Sequence, residues 1–149
     1  MELLLMKREH LEGVAELERL CFSEPWSEKA LALFLDRSAF AVVCTEEERV
    51  VAYGGMLTVL DEGQITNVAT HPDHRRRGYG KEVLSAMLDE AGRRGLGEIS
   101  LEVRASNSAA ISLYETAGFS IVGRRRNFYR QPTEDALVML RSCEASKKP

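Results

Sequence analysis

Cysteine is scarce in this 149-residue chain, which holds only Cys21, Cys44 and Cys143. The number is odd, the spacings are wide and no CxxC pair occurs. Neither a disulfide framework nor a zinc site is indicated, no metal is expected, and a reducing, cytoplasmic setting fits best. Long apolar runs are missing too: no stretch nears the roughly 18 consecutive apolar residues that span a bilayer. The run Leu3–Met6 is too short for a signal peptide and reads as a first strand. Positive charge is not in excess, since 20 Lys and Arg stand against 23 Asp and Glu for a formal net charge of −3. That balance argues against a surface built to grip nucleic acid, and neither nucleic acid nor a membrane is an expected partner. Internal repeats and low-complexity linkers are absent as well.

Hydrophobic residues make up 44% and charged residues 29%, the balance of a globule with one core of good size. A single domain over residues 1–143 is expected, followed by a polar, frayed tail over 144–149. His10 to Cys21 reads as a helix with Leu11, Val14, Leu17 and Cys21 near one face. Ser27 is placed to cap a second, short helix through Leu35. Strands are expected at Phe40–Cys44, at Val50–Leu60 with an interruption at Gly54-Gly55, and at Gln64–Thr70, where Pro72 ends the ladder. Short polar turns between them imply antiparallel pairing.

The strongest helical pattern runs from Gly78 to Arg94, with Val83, Met87 and Ala91 spaced by four. A strand over Glu98–Arg104, a helix over Ser108–Ala117 ended by Gly118, and strands at Phe119–Gly123 and Ala136–Arg141 complete the chain. The order β-α-α-β-β-β-α-β-α-β-β describes an α+β fold, a mixed sheet with helices on its faces.

One segment carries chemistry by itself. A loop rich in arginine (Arg75, Arg76, Arg77) runs into Gly78-Tyr79-Gly80 at the start of the long helix. First-turn amides have no internal acceptor, the macrodipole adds positive potential, and glycine lets the backbone approach a diphosphate. The segment is not a Walker loop, because GxxxxGK followed by Ser or Thr is missing, and it lacks the three glycines of a dinucleotide fingerprint. On these residues alone it is either an anion site or a flexible loop leading into a helix.

In context, the run Asn67-Val68-Ala69-Thr70-His71-Pro72-Asp73-His74-Arg75-Arg76-Arg77-Gly78-Tyr79-Gly80 resembles motif A of the GNAT (Gcn5-related) N-acetyltransferases. Their signature Q/R-x-x-G-x-G/A is met by Arg75, Gly78 and Gly80. Cys21 to Ser27, Leu101 to Asn107, Leu113 to Phe119, Gly123 to Tyr129 and Glu134 to Ala136 resemble the RimI branch of that family. The chain departs from the common pattern at Phe128, where a second tyrosine is frequent, and at Thr70, where valine is usual.

The resemblance implies the GNAT acyl-CoA N-acyltransferase fold, a mostly antiparallel seven-stranded sheet splayed at its central strands. It also implies acetyl-CoA as co-substrate and the N-terminal alanine of a small-subunit ribosomal protein as acceptor. Backbone groups of Val68 and Thr70, with Ala69 between them, would bond the pantetheine arm. Amides of Arg76, Arg77, Gly78, Tyr79, Gly80 and Lys81 would surround the pyrophosphate, and Asn107 would bond the pantetheine from the other side.

Glu102 is the candidate base and Tyr114 the candidate acid that protonates the leaving thiolate. By pattern alone, Glu102 equally suits a solvent face of an alternating strand, and Tyr114 a core position. An α-amine titrates near 7.7–8.0 and lysine near about 10.4, so one carboxylate suffices to deprotonate the former at neutral pH. Phe22, Trp26 and Tyr129 either shape a peptide groove or, for the first two, pack helices together. His71 and His74 flank Asp73 but belong to a loop. Arg124–Arg126 either meet substrate or the ribose phosphate, or form a solvated strand end. Two alternatives stay open: a related enzyme acting on a lysine side chain, polyamine or drug, and a non-catalytic acyl-CoA-binding module.

Overall fold

The structure is a computed structural model, in which residues 1–142 are described. Cys143 and the expected tail over 144–149 lie outside the described residues. The order begins β1 (Glu2–Leu5), α1 (Leu11–Cys21), α2 (Glu28–Leu31), β2 (Ala39–Glu46), β3 (Arg49–Val59) and β4 (Glu62–Thr70). It continues α3 (Tyr79–Arg93), β5 (Glu98–Arg104), α4 (Ser108–Thr116), β6 (Ser120–Arg130) and β7 (Thr133–Ser142). Short 3-10 turns precede α1, follow α2 and precede α3.

The strands form one seven-stranded sheet in the order β1-β2-β3-β4-β5-β7-β6. Every neighbouring pair is antiparallel except β4 with β5, which the crossover helix α3 makes parallel. This is the mixed, mostly antiparallel α+β sheet that the element order implied. Ser27 caps α2 as expected, its Oγ accepting from the Ala30 amide at 3.1 Å.

Both faces of the central sheet are covered. Val83, Met87 and Ala91 of α3 are fully buried against Met56, Ile65, Ile99 and Leu101. On the other face, Leu11, Val14 and Leu17 of α1 pack on Val43, Tyr53 and Ala69. β2 therefore reads as an unbroken apolar run, since Phe40, Val42 and Cys44 enter one core while Ala39, Ala41 and Val43 enter the other. Each such large side chain contributes about 1.5–3 kcal/mol on burial.

β6 differs from expectation. It does not stop near Gly123 but continues to Arg130, and β7 starts at Thr133 rather than Ala136. Arg124–Arg126 thus lie inside a strand, not at its end. The cause is position: β6 is an edge strand with nearly every residue exposed, so neither face shows the apolar alternation that betrays a strand.

The centre of the sheet parts. β4 and β5 pair only from Glu62↔Glu98 to Ile65↔Leu101. Beyond that, β4 stays with β3 as far as Ala52↔Thr70, while β5 stays with β7 as far as Arg104↔Ala136. Between the β3–β4 pairs Gly54↔Val68 and Met56↔Ile65, Thr66 and Asn67 of β4 face the single residue Gly55. This bulge bends β4 away from β5. Gly55 is needed there because a Cβ would lie 2.6 Å from Phe34 Cζ and 2.8 Å from Thr66 Oγ1. Gly55→Ala should lower stability by about 1–3 kcal/mol in urea unfolding. Gly92→Ala, where a Cβ meets nothing within 4 Å, should instead add a few tenths to about 1 kcal/mol.

Candidate active site

The parted strands leave backbone groups without a sheet partner. The His71 amide donates to the Val51 carbonyl at 2.8 Å, which makes 51 and 71 a hydrogen-bonded pair. Bonded and non-bonded pairs alternate along an antiparallel ladder, so Ala69 also bonds toward β3 while Val68 and Thr70 turn the other way. That way lies the gap left by β5. The Thr70 carbonyl is occupied there by Arg75 Nε at 3.2 Å and Cys21 Sγ at 3.4 Å. The Thr70 amide and both backbone groups of Val68 face the gap. The side chain of Ala69 is not brought to it and is buried in the core beneath α1.

A cavity of about 460 Å³ fills the gap, and the chain brings Val68, Glu102, Asn107, Tyr114, Phe22, Trp26 and Tyr129 to its walls. Of the residues singled out in the sequence, these seven share one space. Phe22 and Trp26 come from the loop after α1, and Phe128 and Tyr129 from the β6–β7 hairpin. The two meet where Ser23 Oγ donates to the Gln131 carbonyl at 2.6 Å.

Glu102 is half-buried and held from both sides. Gln64 Nε2 donates to its Oε1 at 3.2 Å, and Arg125 Nε lies 3.1 Å from its Oε2. Arg125 thereby gains a role that its charge run did not suggest. Tyr114 is almost completely buried, and that burial pushes its phenol well up from the usual range. Tyr129 is pushed up to about 12, by burial first and by the Glu102 charge second. Both hydroxyls therefore hold their protons more tightly than a free phenol does. Asn107 caps α4, its Oδ1 accepting from the Ala110 amide at 3.1 Å, so its amide nitrogen is the group left to offer the cavity.

The arginine-rich turn lies outside this cavity's walls, at the N-terminus of α3. Gly78 sits at φ +83° as the residue before the helix, where an L side chain would be strained. The first helical amide to find an acceptor within the helix is that of Glu82, on the Gly78 carbonyl at 3.0 Å. The amides of Tyr79, Gly80 and Lys81 precede it. A Cβ at Gly80 would come only within 3.6 Å of Thr70 Oγ1, an ordinary contact, so internal packing does not call for glycine. The Tyr79 ring turns inward, and its hydroxyl donates to Glu46. His71 Nδ1 accepts from the Asp73 amide at 3.1 Å, and His74 packs edge-on against the His71 ring.

Three site neighbours were not singled out in the sequence: Glu18, Tyr53 and Gln64. Glu18 carried a signal, because it falls four residues after Val14 on the apolar stripe of α1, where a charge is out of place. The outer wall rests on further carboxylates. Arg104 stacks on the Tyr129 ring at 4.4 Å and pairs with Glu134 at 3.3 Å. Hydrogen bonds from Ser106 first, and then Arg104, hold the Glu134 carboxyl below the ordinary range. The Asn127 amide first, and then Arg124, do the same for Asp135. Since both are lowered on folding, the unfolded chain binds protons first as pH falls. Their stabilisation is complete above the ordinary carboxylate range, about pH 4, and is lost as pH falls through their folded values. Between about pH 6 and about pH 3, urea midpoints should fall less steeply in Glu134→Gln and Asp135→Asn than in the wild type.

Comparison with known proteins agrees with this architecture. The model of the acetyltransferase (GNAT) family matches residues 11–119. The [ribosomal protein bS18]-alanine N-acetyltransferase of Escherichia coli is 38% identical over 133 residues, covering 87% of this chain and 88% of that protein. A putative enzyme of the same name from Bacillus subtilis is 32% identical over 136 residues, covering 90% of each. The crystal structure of the ribosomal-protein-S18-alanine N-acetyltransferase from Escherichia coli superposes with a TM-score of 0.87 at 34% identity, over 95% of this chain and 92% of that one. A sheet parted beside an arginine- and glycine-rich helix start, matched along most of its length, places this chain in the GNAT family of acetyltransferases.

Proposed function

We propose that this acetyltransferase moves the acetyl group of acetyl-CoA directly to the N-terminal alanine amine of a small-subunit ribosomal protein. One observation carries the chemistry: the free edge of β4 opens into the same cavity as Glu102 and Tyr114. The acceptor is carried over from the relatives whose names state it, to which this chain is similar over nine-tenths of its length. An acceptor of that kind and the free thiols of Cys21 and Cys44 suit a cytoplasmic site of action.

The residues fit acetyl-CoA. Val68 and the Thr70 amide would align the pantetheine arm along the open strand edge, and the Asn107 amide would reach it from the facing wall. A backbone amide near Val68 would stabilise the oxyanion that forms at the thioester carbonyl. The amides from Arg76 to Lys81 would take the diphosphate, and the absence of any packing need for glycine at Gly80 fits a close approach of that group. Arg75 serves the turn differently, by tying it back to Thr70 and Cys21.

In the transfer itself, the α-ammonium gives a proton to Glu102, directly or through water, and the neutral nitrogen bonds to the thioester carbon. The carbon–sulfur bond breaks, and the leaving thiolate takes the proton that Tyr114 holds. The second proton of the acylated nitrogen passes through water to the Tyr114 phenolate, leaving a neutral amide. A carboxylate offers about four lone-pair sites, so its contacts with Gln64 and Arg125 leave room for an ammonium. Phe22, Trp26 and Tyr129 would wall the peptide groove.

Incubation of the protein with acetyl-CoA and an alanine-starting ribosomal-protein peptide should release CoA and acetylate the α-amine. Acetylation of lysine, or of polyamines in preference to the peptide, would displace this acceptor. Glu102→Gln should lower kcat by about 10²–10⁴ and leave acetyl-CoA affinity nearly unchanged. Tyr114→Phe should slow turnover more with acetyl-CoA than with an acetyl thioester whose leaving thiol is more acidic. Unchanged rates in both variants would remove these residues from the mechanism.

A further inference from the structure

Glu18 has no exposed surface, lies within an apolar helix face, and is in no ion pair among the described residues. Among the described residues, its carboxylate is bonded by neutral donors from three separate elements. The Trp26 backbone amide donates to Oε1 at 2.9 Å, Asn67 Nδ2 donates to Oε2 at 2.9 Å, and the Tyr53 hydroxyl donates to Oε2. Burial, followed by the charge of Glu18, pushes the Tyr53 phenol far up and keeps it a donor. Burying a carboxyl group costs stability unless each oxygen is well bonded, and an apolar residue here would fill the same space without that cost.

The partners show what the carboxylate does. Trp26 belongs to the loop that walls the cavity, and Asn67 is one of the two bulge residues that turn β4 from β5. The Trp26 ring already has a seat, stacked on Phe34 at 5.3 Å, so the Glu18 contact fixes the backbone of the loop rather than the ring. One turn later on α1, Cys21 reaches the Thr70 carbonyl, on the side of the phosphate turn. Successive positions of one helix face thus brace two sides of the gap.

We propose that Glu18 is a positioning residue for the acceptor: its buried carboxylate sets the distance between the loop carrying Phe22 and Trp26 and the bulge of β4. This rests on the proposed peptide groove. The substrate never meets Glu18, so removing the carboxylate should weaken acceptor binding and spare the donor site.

Trp26 is the chain's only tryptophan, so its fluorescence reports the loop without any turnover. Glu18→Gln keeps the shape but sets an NH2 group against at least one of three donors. In that variant, acrylamide quenching of Trp26 should rise about twofold, and the KM for an alanine-starting peptide about tenfold, as loss of about one charge-assisted hydrogen bond implies. The kcat should stay within roughly threefold and the Kd for acetyl-CoA within roughly twofold. Tyr53→Phe, which removes one donor and keeps the carboxylate, should move quenching and KM in the same direction by less, and it decides the matter if Glu18→Gln does not fold. Wild-type quenching and peptide KM in a folded Glu18→Gln variant overturn the proposal. So does an acetyl-CoA affinity that falls as far as that for peptide. If the wild type acetylates no such peptide, the acceptor assignment fails, while Trp26 quenching still decides whether Glu18 fixes the loop.

Discussion

Everything distinctive in this fold follows from one mismatch: between Gly54 and Met56, β3 supplies one residue where β4 supplies two. A sheet cannot absorb that extra residue without bending the longer strand. β4 bends away from β5 just past Ile65, and each strand keeps only its outer neighbour. A parallel pair buried on both faces is ordinarily among the best satisfied parts of a protein. Here it is interrupted, and the backbone of Val68 and the Thr70 amide face a polar-lined gap without a strand partner. Glycine at 55 makes the bulge possible, since any side chain there would strike Phe34 and Thr66.

The charges around the gap are arranged so that few are free. Arg75 is engaged with Thr70 and Cys21, Arg125 with Glu102, Arg104 with Glu134, and Arg124 with Asp135. Positive potential at the α3 N-terminus thus comes from backbone amides as much as from the arginines that precede it. Burial makes the two tyrosines of the cavity hold their protons more tightly than a free phenol, and the Glu102 charge adds to this at Tyr129. On the proposed mechanism, this is the division of labour that acetyl transfer needs. One partly solvated carboxylate accepts a proton, one buried phenol delivers one, and Glu18 braces the walls without touching either.

How much of this was legible in the sequence depended on what each element answers to. α3 was readable from Val83, Met87 and Ala91 because a helix buried on one face repeats by itself. Ser27, Gly78 and Gly118 announced their caps and turns, since local geometry selects those residues. The length of β6 was not readable: an edge strand that buries neither face has no periodic constraint, and its arginines look like a loop. The bulge itself was hidden because it is a property of two strands in register, although Gly54-Gly55 marked the place. Glu102, Asn107 and Tyr114 could be chosen only through family resemblance, and the fold then brought them to one cavity. Ala69 stands between Val68 and Thr70 on β4, and alternation turns its side chain to the opposite core.

The most direct measurement is amide hydrogen exchange of β4, residue by residue, with and without acetyl-CoA. Val68 and Thr70 should exchange quickly in the free protein and become protected when acetyl-CoA is added. Ala69, already bonded toward β3, should be protected in both states. Binding of acetyl-CoA that leaves Val68 and Thr70 unprotected, or protects another strand edge instead, would contradict the parted strands as the acyl-CoA site.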